Sequence, residues 1–209
     1  MGLVRWGAGL TLAVLIFTIP FLHFRASFER TKRLREVTPG VFYRSGQMTV
    51  EGYEDAVERL HLRTIINLRD EAPDPDVRQS FLDGHTEKES ALCARLGVRR
   101  YFIPPDLIPR AQAASSRPIA VDRFLDVLDD PSAYPILVHC NAGLNRTGVI
   151  VAVYRMEHDG WTPLQAWEEL RSNGFGEFTS TADNNYITQY VLNYRPGLRH
   201  HTAMMEQRP

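Results

Sequence analysis

Cysteine and lysine are scarce in this 209-residue chain: Cys93 and Cys140 are its only cysteines, Lys32 and Lys88 its only lysines. Two cysteines so far apart exclude a disulfide framework and a cysteine-built zinc site, so any cysteine chemistry requires reduced thiols. The shortage of lysine beside abundant arginine carries no functional meaning by itself. An excess of either charge is also missing, since 24 basic side chains face 25 acidic ones for a formal net charge of −1. That balance provides no electrostatic footprint for wrapping nucleic acid. Internal repeats and low-complexity stretches are absent too. With 44% hydrophobic and 23% charged residues the composition is that of a globular chain,. At roughly 100–200 residues per domain, its length suits one domain with a sizeable core.

Charge is absent altogether from residues 6–24, WGAGLTLAVLIFTIPFLHF. As a helix rising about 1.5 Å per residue, this stretch matches the roughly 30 Å hydrocarbon layer. The expectation is therefore one N-terminal transmembrane helix, with a basic juxtamembrane segment completing residues 1–36. A cleaved signal peptide is the alternative, weakened by the lack of an A-x-A site in the exit FLHFRASFER. Arg25, Arg30, Lys32, Arg33 and Arg35 follow the segment and only Arg5 precedes it, which by the positive-inside rule places the body in the cytoplasm. The expected localisation is single-pass membrane, in keeping with reduced cysteines. Residues 1–36 hold six basic and two acidic groups, net +4, and the remainder 18 and 23, net −5.

Past Thr38-Pro39-Gly40, strands and helices alternate. Strand character is read at 41–44, 64–68, 98–103 and 135–138, and helical spacing at 50–62, 87–96, 118–128, from about 146, at 162–172 and at 182–194. Residues 69–76 read as a long polar loop. Such alternation predicts an α/β fold with a mostly parallel central sheet flanked by helices, and ligands gathering at the carboxyl ends of its strands. The loop after Val138 is the place to look.

That loop reads His139-Cys140-Asn141-Ala142-Gly143-Leu144-Asn145-Arg146-Thr147-Gly148. A turn feeding a helix N-terminus aims successive backbone N–H groups at one point and adds the positive end of the helix dipole. The 141–146 segment thus forms a cradle for a phosphate-like dianion. Cys140 stands at its rim, where the same field favours thiolate, the nucleophilic form. Arg146 offers a planar fork for two phosphate oxygens, a geometry lysine does not reproduce. Thr147 can donate its hydroxyl to the sulfur, and Gly143 and Gly148 permit backbone angles and packing that a Cβ would obstruct.

The pattern His-Cys-x5-Arg-Thr-Gly resembles the signature loop of cysteine-dependent protein tyrosine and dual-specificity phosphatases. FYRSGQ, TIINLR and the Pro-Pro-Asp loop extend the resemblance over most of residues 37–195, in the arrangement of compact bacterial, fungal and plant members. It implies a phosphatase domain at 37–195 and a flexible tail at 196–209. It also implies a metal-free and cofactor-free two-step reaction: Cys140 attacks phosphorus, a carboxylic acid protonates the leaving oxygen, and water hydrolyses the cysteinyl-phosphate. Asp106, 34 residues before Cys140, is the expected acid, with Asp70, Asp76, Asp122 and Asp126 as rivals. His139 resembles the family histidine that orients the loop backbone.

Plainer readings attach to other residues. Cys93 is a small core side chain before it is a resolving thiol, Arg44 and Arg69 form surface ion pairs before they reach the pocket, and Trp161, Trp167 and Phe175 are helix packing. Thr179 to Asn185 resembles weakly the segment lining the phosphate loop in lipid-type members. The leading function is a phosphomonoesterase acting on a phosphorylated protein or small phosphomonoester, because Asn141, Ala142, Leu144 and Asn145 add no cation for a polyanion. The alternatives are a phosphoinositide or inositol-polyphosphate phosphatase and a turnover-deficient phosphate-binding module. Sulfur transfer or arsenate reduction stands further off.

Overall fold

Side chains that are apolar on both faces of a strand decide the architecture. The computed structural model describes residues 2–104, 119–176 and 181–197, with 2–13 and 181–186 described by backbone alone. In it β3 (Thr64–Asn67) and β7 (Ile136–His139) are buried at every position, which only a sheet covered on both sides allows. With β1 (Arg35–Thr38), β2 (Phe42–Ser45) and β6 (Arg99–Phe102) they form a five-stranded sheet in the order β1-β2-β7-β3-β6. The last four strands are parallel, and β1 lies antiparallel to β2. Their register sets Ser45, His139, Asn67 and Phe102 in one row at the carboxyl end of the sheet. The loops leaving that row are where a ligand site belongs.

Successive strand residues point to opposite faces, and two cores follow. Phe42, Ile66, Ile136 and Val138 pack with α4 (Ile119–Leu128), α5 (Asn145–His158) and α6 (Pro163–Ser172), where Phe42 stacks on Tyr154 at 4.3 Å between ring centroids. Tyr43, Ile65 and Leu137 pack with α2 (Val50–Leu60) and α3 (Glu89–Leu96). Local chemistry delimits these helices. Thr49 caps α2 by accepting from Gly52 N, Gly97 ends α3 in the left-handed region, and Thr162 with Gln165 forms a capping box on α6,. A final helix, α7 (Thr181–Leu192), follows.

The mostly parallel α/β sheet agrees with the sequence reading. Two elements do not: β1, and a hairpin of β4 (Asp76–Arg78) with β5 (Thr86–Lys88). The hairpin delays α3 to Glu89. Its only buried β4 side chain is Val77, which joins the α2–α3 core, so its pairing follows from a tertiary contact rather than from alternation.

The expected transmembrane span is corrected. Among the described residues no helix is long and apolar enough to cross a membrane. The single-pass localisation, and a membrane partner reached through that helix, lose their basis with it. Instead α1 (Gly2–Thr31) continues unbroken past Pro20 into charged turns, and residues 14–31 carry Arg25, Glu29 and Arg30 in 18 positions. The side chains of Val14, Phe17 and Phe24 are exposed, while the C-terminal end of α1 is fastened to the domain. Arg30 pairs with Asp55 of α2 at 3.5 Å, and Lys32 O accepts from Gly46 N at 2.7 Å. A Cβ at Gly52 would lie 1.9 Å from Arg30 O.

That contact gives Gly52→Ala a diagnostic sign. In a free helix the change is favourable by up to about 1 kcal/mol, whereas forcing α1 away from α2 costs ~1–3 kcal/mol. Thermal unfolding of the full chain should show a lowered melting temperature; a raised one would mean that α1 does not end against α2.

Candidate active site

β7 delivers Cys140 to the floor of a cavity of about 250 Å³. Cys140, Asn141, Ala142, Leu144, Asn145 and Arg146 line it, all expected from the sequence, together with Gly174 and Gly176 from the turn after α6. Those two glycines have φ of +92° and +83°. The Gly-Phe-Gly spacing was their only sequence signal. Cys140 is 3% exposed, and Gly143 N donates to its sulfur at 3.2 Å. Leu144 precedes α5 without a side-chain cap, and a helix N-terminus favours an anion. Gly143 is not among the lining residues. It has φ +74°, and a Cβ there would lie 2.5 Å from Gly46 N, so the close approach of β2 requires glycine.

The loop is held from behind. Gln47 N donates to Asn141 O at 3.0 Å, Arg33 Nη1 to Ala142 O at 2.9 Å, and Arg44 Nη2 to Gly143 O at 2.9 Å. Arg44 is therefore no surface ion pair. It is 4% exposed, and burial pulls its guanidinium down to about 10 against the attraction of Glu169 and Cys140. From the sequence Arg33 is expected only as one cation of the basic juxtamembrane segment; its distance in sequence conceals the contact.

Arg146 faces carboxylates. Its Nη1 lies 2.5 Å from both Asp70 Oδ1 and Glu71 Oε2, and 3.3 Å from Leu68 O. Arg69 pairs with Glu71 at 3.1 Å and reaches Gln47. The Arg146 guanidinium holds the Glu71 carboxyl well below the usual carboxylate range.

His139 is wholly buried, with Nδ1 3.4 Å from Cys140 O and Nε2 3.1 Å from Glu89 Oε2. Glu89 also accepts from Arg100 Nε at 2.6 Å. Burial pushes the Glu89 carboxyl up, but His139 and Arg100 outweigh it and leave it below its ordinary value. Thr147 is buried and donates to Ser45 O at 3.5 Å, on the β2 side of the loop rather than to the sulfur.

Asp106 lies outside the described residues, four positions after Phe102 in the chain. Of its rivals, Asp70 meets Arg146, Asp76 pairs with Lys88 at 3.0 Å, Asp126 is exposed and Asp122 is buried on α4. The side chains of 179–185 are not among those described. Cys93 belongs to the core on the opposite face of the sheet, and burial pushes its thiol up to about 12, the reverse of a resolving thiol. Trp161 and Trp167 lie under Arg155 and Arg171, and Phe175 is buried. Among the described residues no group of three or more His, Cys, Asp or Glu is placed to hold a metal ion.

A cysteine-bearing loop at a helix N-terminus with an arginine on the same cavity is suited to displacement at phosphorus. Known proteins agree with that chemistry. A family profile described as PTP-NADK, a DSP-PTPase phosphatase fused to NAD+ kinase, matches residues 21–188. The tyrosine-protein phosphatase-like protein OCA2 of Saccharomyces cerevisiae is 30% identical over 173 residues, 79% of each chain. Inositol diphosphatase DSP3 of Arabidopsis thaliana is 30% identical over 150 residues, 72% of this chain and 66% of that one. The crystal structure of Pseudomonas aeruginosa TpbA matches with a TM-score of 0.52 and 25% identity, covering 78% of this chain and 84% of TpbA.

The Asp70–Glu71 pair occupies the guanidinium that an anion in the cavity would use. Removing both carboxylates, by Asp70→Asn with Glu71→Gln, should tighten orthophosphate binding by about three- to tenfold, each exposed ion pair being worth at most ~1 kcal/mol. Calorimetric titration at neutral pH checks this, and unchanged affinity would show that the carboxylates do not compete. Because the Glu71 carboxyl is depressed, its pairing is fully present above the ordinary carboxylate value of about 4.3 and is lost only as pH falls through the depressed one.

Proposed function

The chain belongs to the DSP-PTPase phosphatase family, a cysteine-dependent class of phosphoric monoester hydrolase, and we propose that Cys140, Arg146 and Asp106 carry its reaction. The observation behind this is one cavity that holds the Cys140 sulfur against the Gly143 N–H and is lined by Arg146.

The Cys140 thiolate attacks phosphorus while the bond to the leaving oxygen breaks. Asp106, as a carboxylic acid, gives that oxygen its proton. Backbone N–H groups of the loop other than that of Gly143, which is on the sulfur, and the Arg146 fork hold the three equatorial oxygens as charge spreads over them,. Water then attacks the cysteinyl-phosphate, the S–P bond breaks, and the water proton passes to the Asp106 carboxylate. Thiolate and acid are regenerated, and orthophosphate leaves. His139, between the Cys140 carbonyl and Glu89, orients the loop.

The substrate is a phosphorylated protein or small phosphomonoester. Asn141, Ala142, Leu144 and Asn145 bring no cation to the cavity, and Asp70 with Glu71 places negative charge beside it. A second reading, hydrolysis of an inositol diphosphate, is favoured by the 30% identity to an enzyme of that name over 72% of this chain.

Phosphate release from phosphotyrosine and phosphoserine peptides, phosphoinositides and inositol diphosphates separates the two. Phosphotyrosine peptide is expected to give the highest kcat/KM, inhibited by vanadate and indifferent to chelators; highest turnover on an inositol diphosphate establishes the second reading. Cys140→Ser should abolish release, and Asp106→Asn should lower kcat by about 10²–10⁴-fold. Release undiminished in Cys140→Ser would overturn the mechanism, and full activity of Asp106→Asn would move the acid elsewhere.

A further inference from the structure

We propose that Arg33, in the turn that ends α1, is a positioning residue for this reaction, holding the peptide whose N–H donates to the Cys140 sulfur. The inference rests on the phosphatase reading above and adds a residue from outside the sheet and its loops.

A trans peptide is planar, with its C=O and N–H on opposite sides. The Ala142–Gly143 peptide therefore has two ends to satisfy. Its carbonyl accepts from Arg33 Nη1 at 2.9 Å, and its N–H donates to Cys140 Sγ at 3.2 Å. A cation on the carbonyl polarises the peptide and strengthens the N–H as a donor. It also blocks the flip that would turn the carbonyl toward the thiolate. The neighbouring peptides are fixed by Gln47 N and by buried Arg44, both from β2 and the turn after it. The middle one is met by a side chain from the turn after α1.

The turn is built to bring Arg33 there. Lys32 and Arg33 have φ of +37° and +60°, a conformation non-glycine residues seldom adopt. Lys32 O is tied to Gly46 N, and the Arg33 guanidinium lies over the Phe28 ring at 5.1 Å from its centroid. Gly46 makes the approach feasible, since a Cβ there would lie 2.6 Å from Lys32 Cγ and 2.9 Å from Ala142 C.

The test compares Arg33→Ala, Arg33→Lys and Arg30→Ala in the full chain. Arg30 pairs with Asp55 and does not touch the loop, so its removal controls for the loss of a nearby positive charge. Alkylation of Cys140 by iodoacetamide is followed against pH by peptide mass spectrometry, which separates it from Cys93, and orthophosphate binding is measured by calorimetry. The other charged or titratable groups around the sulfur stay in place: Arg44 from β2, Arg146 with Asp70 and Glu71, and His139 with Glu89 and Arg100. Loss of an N–H donor disfavours thiolate, so Arg33→Ala should move the alkylation midpoint to higher pH and weaken orthophosphate binding about tenfold, equivalent to ~1.4 kcal/mol. Arg33→Lys, which keeps charge and a donor without the fork, should recover part of both, and Arg30→Ala should resemble wild type. Wild-type midpoint and affinity in Arg33→Ala, or equal shifts in Arg30→Ala, would overturn the proposal. If Arg33→Ala does not fold, Arg33→Met keeps the stem over Phe28 and carries the same expectation. Both readouts are independent of turnover, so failure to hydrolyse any phosphomonoester would refute the phosphatase reading and leave this result standing.

Discussion

Each N–H that the Cys140 loop turns toward its cavity leaves a carbonyl on the other side of the same peptide, and the site depends on those carbonyls being met. A buried carbonyl without a partner costs as much as the N–H contact gains. Three consecutive ones are met here, by Gln47 N, Arg33 and Arg44. Gln47 N reaches Asn141 O because the chain turns at Gly46, where a Cβ would stand 2.8 Å from that oxygen. Arg44 reaches Gly143 O because β2 lies directly beside β7 in register, Arg44 opposite Val138. Burying a guanidinium is costly enough to pull it down to about 10, so the neighbouring strands, the bend after β2 and the buried arginine are one solution to one requirement.

The same requirement leaves positive potential at the cavity. The N-terminus of α5 and Arg146 lie at one cavity, and the loop after β3 supplies the countercharge. Buried Asn67 shapes that loop: its Oδ1 accepts from Arg69 N at 2.8 Å, and its Nδ2 donates to Ala72 O at 3.2 Å. The fold closes residues 69–72 into a turn that presents Asp70 and Glu71 to Arg146. Asn67 stands in the same row as His139, so the order of strands in the sheet sets acid loop and clamp side by side.

How much of this was legible follows from where each signal resides. β3 was read from Thr64-Ile65-Ile66 because β-branched residues without alternation suit a strand covered on both sides, and the Cys140 loop because its residue types and spacing are local. Arg44 was misjudged for the converse reason. One residue cannot announce that a carbonyl 99 positions later will be its partner. Arg33, 109 positions from Ala142, is the same case. The hairpin of β4 and β5 has too few apolar residues to register a period, and Gly174 and Gly176 acquire meaning only when the α6–α7 turn meets the cavity. Length alone marks the apolar run at 6–24, and it does not reveal that the helix continues through Arg25, Glu29 and Arg30 to end against α2 and the Cys140 loop.

With a body of net −5, the phosphate binding proposed above has to be local, made by backbone N–H groups of the loop together with Arg146. A lysine-lined basin attracts at long range and tolerates many geometries. A ring of peptides acts over one hydrogen bond and suits one tetrahedral group. Such a device works only if buried negative charge beneath it is neutralised. Among the described residues Glu89, fully buried behind His139, is the carboxylate that adjoins the loop in this way, and its oxygens face Arg100 Nε at 2.6 Å and His139 Nε2 at 3.1 Å. With its charge confined to that pair, Glu89 can fix the His139 ring without opposing the field that the loop directs at Cys140. Orientation of the ring and preservation of the anion site are thus separate tasks, and Arg100 makes them compatible.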